Sequence, residues 1–196
     1  MIDSDLLAAL EPVVEALEDL GVRYYIGGSV AGSVHGVPRA SIDADVIAEL
    51  RGEHLRPFVE RLRHAYYVDL DRARAAVEGR RSFNLIHLET TFKIDLFVAK
   101  ERAFDRQALE RARPEDLEHG GETPRYRVAS PEDTVLAKLE WFRAGGESSD
   151  RQWADVVGLL RAGRASVDHG HLDRWAEELG VSDLLELARA EAAPQS

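Results

Sequence analysis

Two aspartates one residue apart, Asp43-Ala44-Asp45, come fourteen residues after Ser29 of a Gly27-Gly28-Ser29 turn. On a strand, side chains at i and i+2 share a face roughly 6.5–7 Å apart, so both carboxylates converge on one place. Such a pair repels unless positive charge sits between its members, and a two-metal site with ions about 3.5–4 Å apart is one established answer. Oxygen donors of this kind favour Mg²⁺ or Mn²⁺ over zinc. A third acid, Asp95, stands in Lys93-Ile94-Asp95-Leu96-Phe97, where the flanking apolar residues put it opposite the buried face. The same alternation also describes the solvent side of an ordinary half-exposed strand.

The Gly-Gly-Ser turn lies between strand-like and helix-like residues, where glycines allow close backbone approach and free N–H groups attract anions. It is neither a Walker loop nor GxGxxG, and taken alone it reads first as a tight strand-to-helix turn. Arg39, four residues before Asp43, is a candidate for phosphate charge or for an ion pair with a neighbouring acid. Lys138 lies among Val135, Leu136, Leu139 and Phe142, the setting of a lysine at the solvated edge of an apolar stripe. Asp155 follows Arg151 by four residues, which suits a helix ion pair. His35 and His87 read as structural hydrogen-bonding groups, and Trp141 and Trp153, with apolar neighbours at three and four residues, as core.

The elements that must position these residues are legible from periodicity. Leu6, Leu7, Leu10, Val13, Val14 and Leu17 predict an amphipathic helix with Ser4 as its N-cap and Gly21 at its end. A strand is expected at 22–27, a short helix through His35, a strand at 42–48, a helix at 53–64, β-rich residues at 65–70 and a helix at 71–79. Strands at 82–88 and 92–98, joined by Glu89-Thr90-Thr91, read as a hairpin. Residues 101–124, closed by Gly120-Gly121 and Pro124, predict a short helix and a loop before a strand at 125–128. From Ser130-Pro131-Glu132-Asp133, a helix start, the period is helical, with helices at 131–143, 149–162, 171–179 and 182–192. The chain therefore divides into an α/β region, 1–129, and a C-terminal helical region, 130–196.

The stretch GGSVAGSVHGVPRASIDADVIAEL resembles the signature of the DNA polymerase β-type nucleotidyltransferases, and FKIDLF their third-carboxylate strand. His35-Gly36 and Arg39 make it similar to the minimal bacterial branch that includes AbiEii-type toxins and the MenT toxins that nucleotidylate tRNA. The resemblance covers roughly residues 20–162 and implies an α+β nucleotidyltransferase fold: a mixed β-sheet flanked by helices, followed by a helical region. It implies that Asp43, Asp45 and Asp95 bind Mg²⁺ or Mn²⁺ and that Asp95 helps deprotonate the acceptor. It further implies that Gly28, Ser29, Arg39 and Lys138 hold the triphosphate of an NTP substrate, Lys138 also serving catalysis. The acceptor it implies is the 3′ end of tRNA, in a toxin with a cognate antitoxin. Small-molecule or protein nucleotidylation is the alternative, as is a non-catalytic binding or regulatory protein of the same fold. Asp-Ala-Asp departs from the commoner Asp-Ile-Asp, a change expected to be harmless because Ala44 faces away from the acids.

The 196 residues carry 36 acids against 25 Lys and Arg, a net charge of −11, with no cysteine and 44% hydrophobic residues. A disordered tail, a fibre, a disulfide scaffold and a thiolate site are excluded. No apolar run suggests a membrane span, and the acidic N-terminal residues are unlike a signal peptide, so a cytoplasmic protein is expected. Residues 1–20 hold six acids and no base, residues 168–196 seven acids and two bases, and residues 21–167 twenty-three of each. The central body is thus neutral, and net charge does not exclude a nucleic-acid substrate. Eight arginines (51, 56, 61, 63, 72, 74, 80 and 81) read either as an RNA path or as two solvated helix faces.

Overall fold

A computed structural model describes residues 2–117, 125–163 and 166–194. The elements in order are α1 (Ser4–Asp19), β1 (Tyr24–Ile26), α2 (Gly28–Val34), β2 (Asp43–Ala48), α3 (Gly52–Leu62), β3 (Tyr66–Val68), α4 (Leu70–Gly79), β4 (Ser82–His87), β5 (Lys93–Val98), α5 (Ala103–Arg111), β6 (Arg113–Asp116) and β7 (Arg125–Val128). Four helices follow: α6 (Pro131–Ala144), α7 (Asp150–Ala162), α8 (His169–Glu178) and α9 (Ser182–Ala192). Two compact units result, residues 1–30 with 40–129 and residues 31–39 with 130–196. No helix among the described residues is long and apolar enough to cross a membrane.

The first unit is a seven-stranded mixed sheet in the order β3-β4-β5-β2-β1-β7-β6. β2 runs parallel to β5 and β1 parallel to β7, while the remaining neighbours are antiparallel. Alternation decides the faces: Ala44, Val46, Ala48, Ile94, Leu96 and Val98 are buried, while Asp43, Asp45, Lys93 and Asp95 between them are half-exposed. Helix α1 covers the apolar side with Leu6, Leu10, Val13 and Leu17, all at most 2% exposed, and packs against β2, β5 and α3. Pro12 removes one helical N–H from α1. One turn earlier, the Tyr66 hydroxyl donates to the Ala9 carbonyl at 2.7 Å, tying β3 to the helix.

The second unit packs α6 on α7 and α8, and α9 on α7 and α8. Ser130 caps α6 as expected, accepting from the Asp133 N–H at 3.1 Å. Residues 31–39 join this unit: Val37 lies against Gly158, where a Cβ would come within 3.0 Å of it, and Gly36 faces Ala162.

The structure departs from the sequence reading in four places. The N-cap of α1 is Asp3, not Ser4; its extended backbone and a 2.8 Å bond from the Asp5 N–H make the cap, and Ser4 is already helical. Residues 113–116, expected in a loop, form β6 by pairing with β7 at the sheet edge. The β4–β5 hairpin is as expected, but its loop runs from 88 to 92, with Thr91 at φ +60. Trp141, expected in the core, is 56% exposed. Gly120-Gly121 and Pro124 lie outside the described residues.

Candidate active site

The parallel register of β2 and β5 sets Asp43 beside Lys93 and Asp45 beside Asp95. Each strand alternates, so these four side chains share the face opposite the apolar core. Three carboxylates and one ammonium thus occupy the corners of a grid whose sides are one strand spacing and two residues. Ala44 points the other way and is fully buried, so its identity answers to the core.

Gly28, the first residue of α2, closes the grid. Its backbone adopts φ +56, and a Cβ there would lie 1.7 Å from the Asp45 carboxylate oxygen. Only glycine allows that approach, and the Gly27 N–H donates to the Asp45 carbonyl at 2.9 Å. Ser29, 3% exposed, shares a 2.6 Å hydrogen bond with the Ser41 hydroxyl. Ser41 in turn lies 2.9 Å from the Asp43 carbonyl oxygen and 3.2 Å from its carboxylate. The turn and the first acid are therefore one hydrogen-bonded assembly.

The Lys93 ammonium lies 2.8 Å from the Asp95 carboxylate and 3.9 Å from that of Asp43. Its pKa is held above the ordinary lysine value, first by the hydrogen bond to Asp95; partial burial opposes this, and the charges of Asp95, Asp43 and Asp45 add to it. The face continues along the sheet: Asn84 stands opposite Asp95, Ile86 opposite Lys93, and Tyr67 opposite Ile86. Ile86 is 40% and Tyr67 59% exposed.

Among the described residues no three His, Cys, Asp or Glu side chains form a ready-made metal cage. The donor chemistry nonetheless fits Mg²⁺ or Mn²⁺. Asp43, Asp45 and Asp95 offer only hard oxygens on one open face, and the cation among them is an ammonium on a flexible stem. Magnesium sites of this open kind hold few carboxylates and take the remaining ligands from water and phosphate.

In the second unit the Lys138 ammonium, in a residue 8% exposed, lies 2.8 Å from the Asp155 carboxylate, and Gly32 faces its stem. Arg39 approaches the same carboxylate at 3.5 Å, and its Nη1 is buried with no hydrogen-bond partner among the described residues. Two cations therefore share one anion. This corrects two expectations. Lys138 is buried rather than solvated, and Asp155 pairs with Lys138 and Arg39 rather than Arg151, because it sits on the buried side of α7 while Arg151 is exposed.

Other candidates resolve into structure. His87 is buried and shares a 2.8 Å hydrogen bond with Thr90. Trp153 packs on Phe142 and donates to Glu191. Of the eight arginines, Arg51, Arg61, Arg63, Arg72, Arg74 and Arg80 each meet a carboxylate. Sequence reasoning missed Ser41 and Lys93. Both stand two residues before an acid, and for Lys93 the strand period that pairs Asp43 with Asp45 was the available signal.

No protein-family model matches the chain, and no curated protein does. Solved structures do. The solution structure of the antibiotic-resistance factor ANT(2″)-Ia aligns over 97% of both chains with a TM-score of 0.56 at 14% identity. An antigenic nucleotidyltransferase-like protein from Paracoccidioides brasiliensis aligns over 97% of this chain and 94% of its own, with a TM-score of 0.54 at 15% identity. The crystal structure of ANT(2″)-Ia with adenylyl-2″-tobramycin covers 88% of this chain and 95% of its own, with a TM-score of 0.56 at 14% identity. At such identities the likeness is one of chain path, and by that measure the protein has the α+β nucleotidyltransferase fold.

Proposed function

We propose that this protein is a divalent-metal-dependent nucleotidyltransferase that moves NMP from an NTP to an acceptor hydroxyl. The observation that carries the reading is the grid itself: Asp43, Asp45 and Asp95 on one face of β2 and β5, with Gly28 pressed against Asp45. In this reading Asp43, Asp45 and Asp95 hold Mg²⁺ or Mn²⁺, which when bound neutralises charge on the phosphates. Asp95 accepts the proton of the acceptor hydroxyl, whose oxygen attacks the α-phosphorus. The bond from that phosphorus to the β-phosphate oxygen breaks, and pyrophosphate leaves. Backbone N–H groups at Gly28 and the Ser29 hydroxyl hold the outer phosphates. The resemblance assigns the remaining phosphate charge to Arg39 and Lys138, which within the helical unit share one carboxylate.

For the acceptor we infer the 3′ end of tRNA, in a toxin countered by a cognate antitoxin, as in the AbiEii and MenT branch that the signature resembles. Tyr67 and Ile86, exposed on the acid-bearing face, suit the stacking of an unpaired terminal base. A small-molecule acceptor is the second reading, favoured by the six arginines already engaged with carboxylates. The experiment incubates wild type, Asp43→Ala and Asp45→Ala with Mg²⁺ and each α-labelled NTP. Total tRNA, an aminoglycoside mixture and a protein lysate serve as acceptors. Label on tRNA from wild type alone, with growth arrest lost in both variants, is the expected result. Label on the aminoglycosides would select the second reading, and no transfer to any acceptor would remove the enzymatic one.

A further inference from the structure

We propose that Lys93 is a resident counter-ion of the carboxylate grid, holding the acids together before metal arrives and giving up its place when metal binds. The inference rests on the metal-binding reading above and concerns what occupies the acids in its absence. On the acid-bearing face of β4, β5 and β2 the register brings together Ser82, Asn84, Ile86, Lys93, Asp95, Phe97, Asp43, Asp45 and Ile47. Lys93 is the one cation in that set. A single ammonium therefore faces three carboxylates, lying 2.8 Å from one and 3.9 Å from another.

An ordinary surface ion pair joins one cation to one anion and contributes little. Here the ammonium sits at a corner of the grid where an anion would complete a square of four acids. It relieves repulsion that the strand register would otherwise impose on Asp43, Asp45 and Asp95. A divalent ion with the same ligands carries twice the charge and repels an ammonium a few ångströms away. Lys93, 39% exposed in its side chain, has a flexible four-carbon stem on which to swing aside. The lysine thus supports the empty grid and competes with the metal for it.

The test uses the full-length protein, with Mn²⁺ alone as the probe. Mn²⁺ affinity is read by electron paramagnetic resonance without nucleotide, and thermal midpoints are read in EDTA and in Mn²⁺. Lys93→Ala is expected to melt below wild type in EDTA, to recover in Mn²⁺, and to bind Mn²⁺ about three- to tenfold more tightly. Lys93→Met, which keeps the stem, should behave alike and stands in if the alanine variant folds poorly; Lys93→Arg should stay near wild type. Unchanged or weaker Mn²⁺ binding in both neutral variants, or a melting deficit equal in EDTA and Mn²⁺, would overturn the proposal. Absence of Mn²⁺ binding by wild type, with or without ATP, would instead overturn the metal reading on which it rests.

Discussion

Gly28 shows how much one missing side chain can carry. A Cβ there would overlap the Asp45 carboxylate, and the backbone already sits at φ +56, which L residues adopt at a cost of roughly 1–2 kcal/mol. Gly28→Ala is therefore expected to destabilise the fold modestly in urea and to displace Asp45. On the proposed reading, nucleotide transfer should fall about 100-fold, since a misplacement near 1 Å can cost that much. Gly21 provides the control. It has φ +66 but nothing within 4 Å of an added Cβ, so Gly21→Ala should show the stability cost and keep its activity. Gly28 was legible in the sequence because its neighbours, Ser29 and the Asp-x-Asp pair, form a recognisable set. Ser41 and Lys93 escaped notice because their importance lies in who stands beside them, and that depends on how distant strands align.

Among elements, local patterns were read well and pairings less so. The alternation in 43–48 and 93–98 identified both strands and their faces. That they lie side by side in parallel, with Asp45 level with Asp95, follows from packing across fifty residues. β6 was missed for a related reason: Arg113-Pro114-Glu115-Asp116 has no apolar alternation and becomes a strand by hydrogen bonding to β7 at an edge, where proline is tolerated. Lys138 and Asp155 pin α6 to α7 through buried charge. Asp155→Ala would strand two cations and should cost about 3–5 kcal/mol, whereas Lys138→Met leaves Asp155 with Arg39 and should cost less. The double variant is expected to fall short of the sum of the singles, a non-additivity that thermal or urea unfolding would measure. Strict additivity would mean that the pair does not join the two helices.

For the molecule as a whole, the net charge of −11 belongs to the two end segments, and four of the five acids of α1 (Asp5, Glu15, Glu18 and Asp19) lie on its exposed side. Its pH response at the alkaline end includes the contribution of two buried phenols. Burial raises the pKa of Tyr24, helped by its hydrogen bond to Glu18, and burial raises that of Tyr66. The unfolded chain releases both protons near pH 10 while the native state keeps them. Stability is thus fully present below pH 10 and falls above it by about 1.4 kcal/mol per pH unit for each tyrosine. Urea unfolding at pH 9, 10.5 and 11 should show this slope, with Tyr66→Phe removing about half of it. A variant with the wild-type slope would place the alkaline loss elsewhere.

The chain leaves the sheet unit at residue 31, contributes nine residues to the helical unit and returns at residue 40, before crossing for good at Ser130. The chain therefore passes between the two units three times. A protease cut after residue 129 would nick the protein without releasing a self-sufficient half, because residues 130–196 alone would lack Val37, the side chain set against Gly158. Swapping the helical unit between relatives at a single junction would leave the same mismatch, so recombination of this fold has to exchange two segments at once.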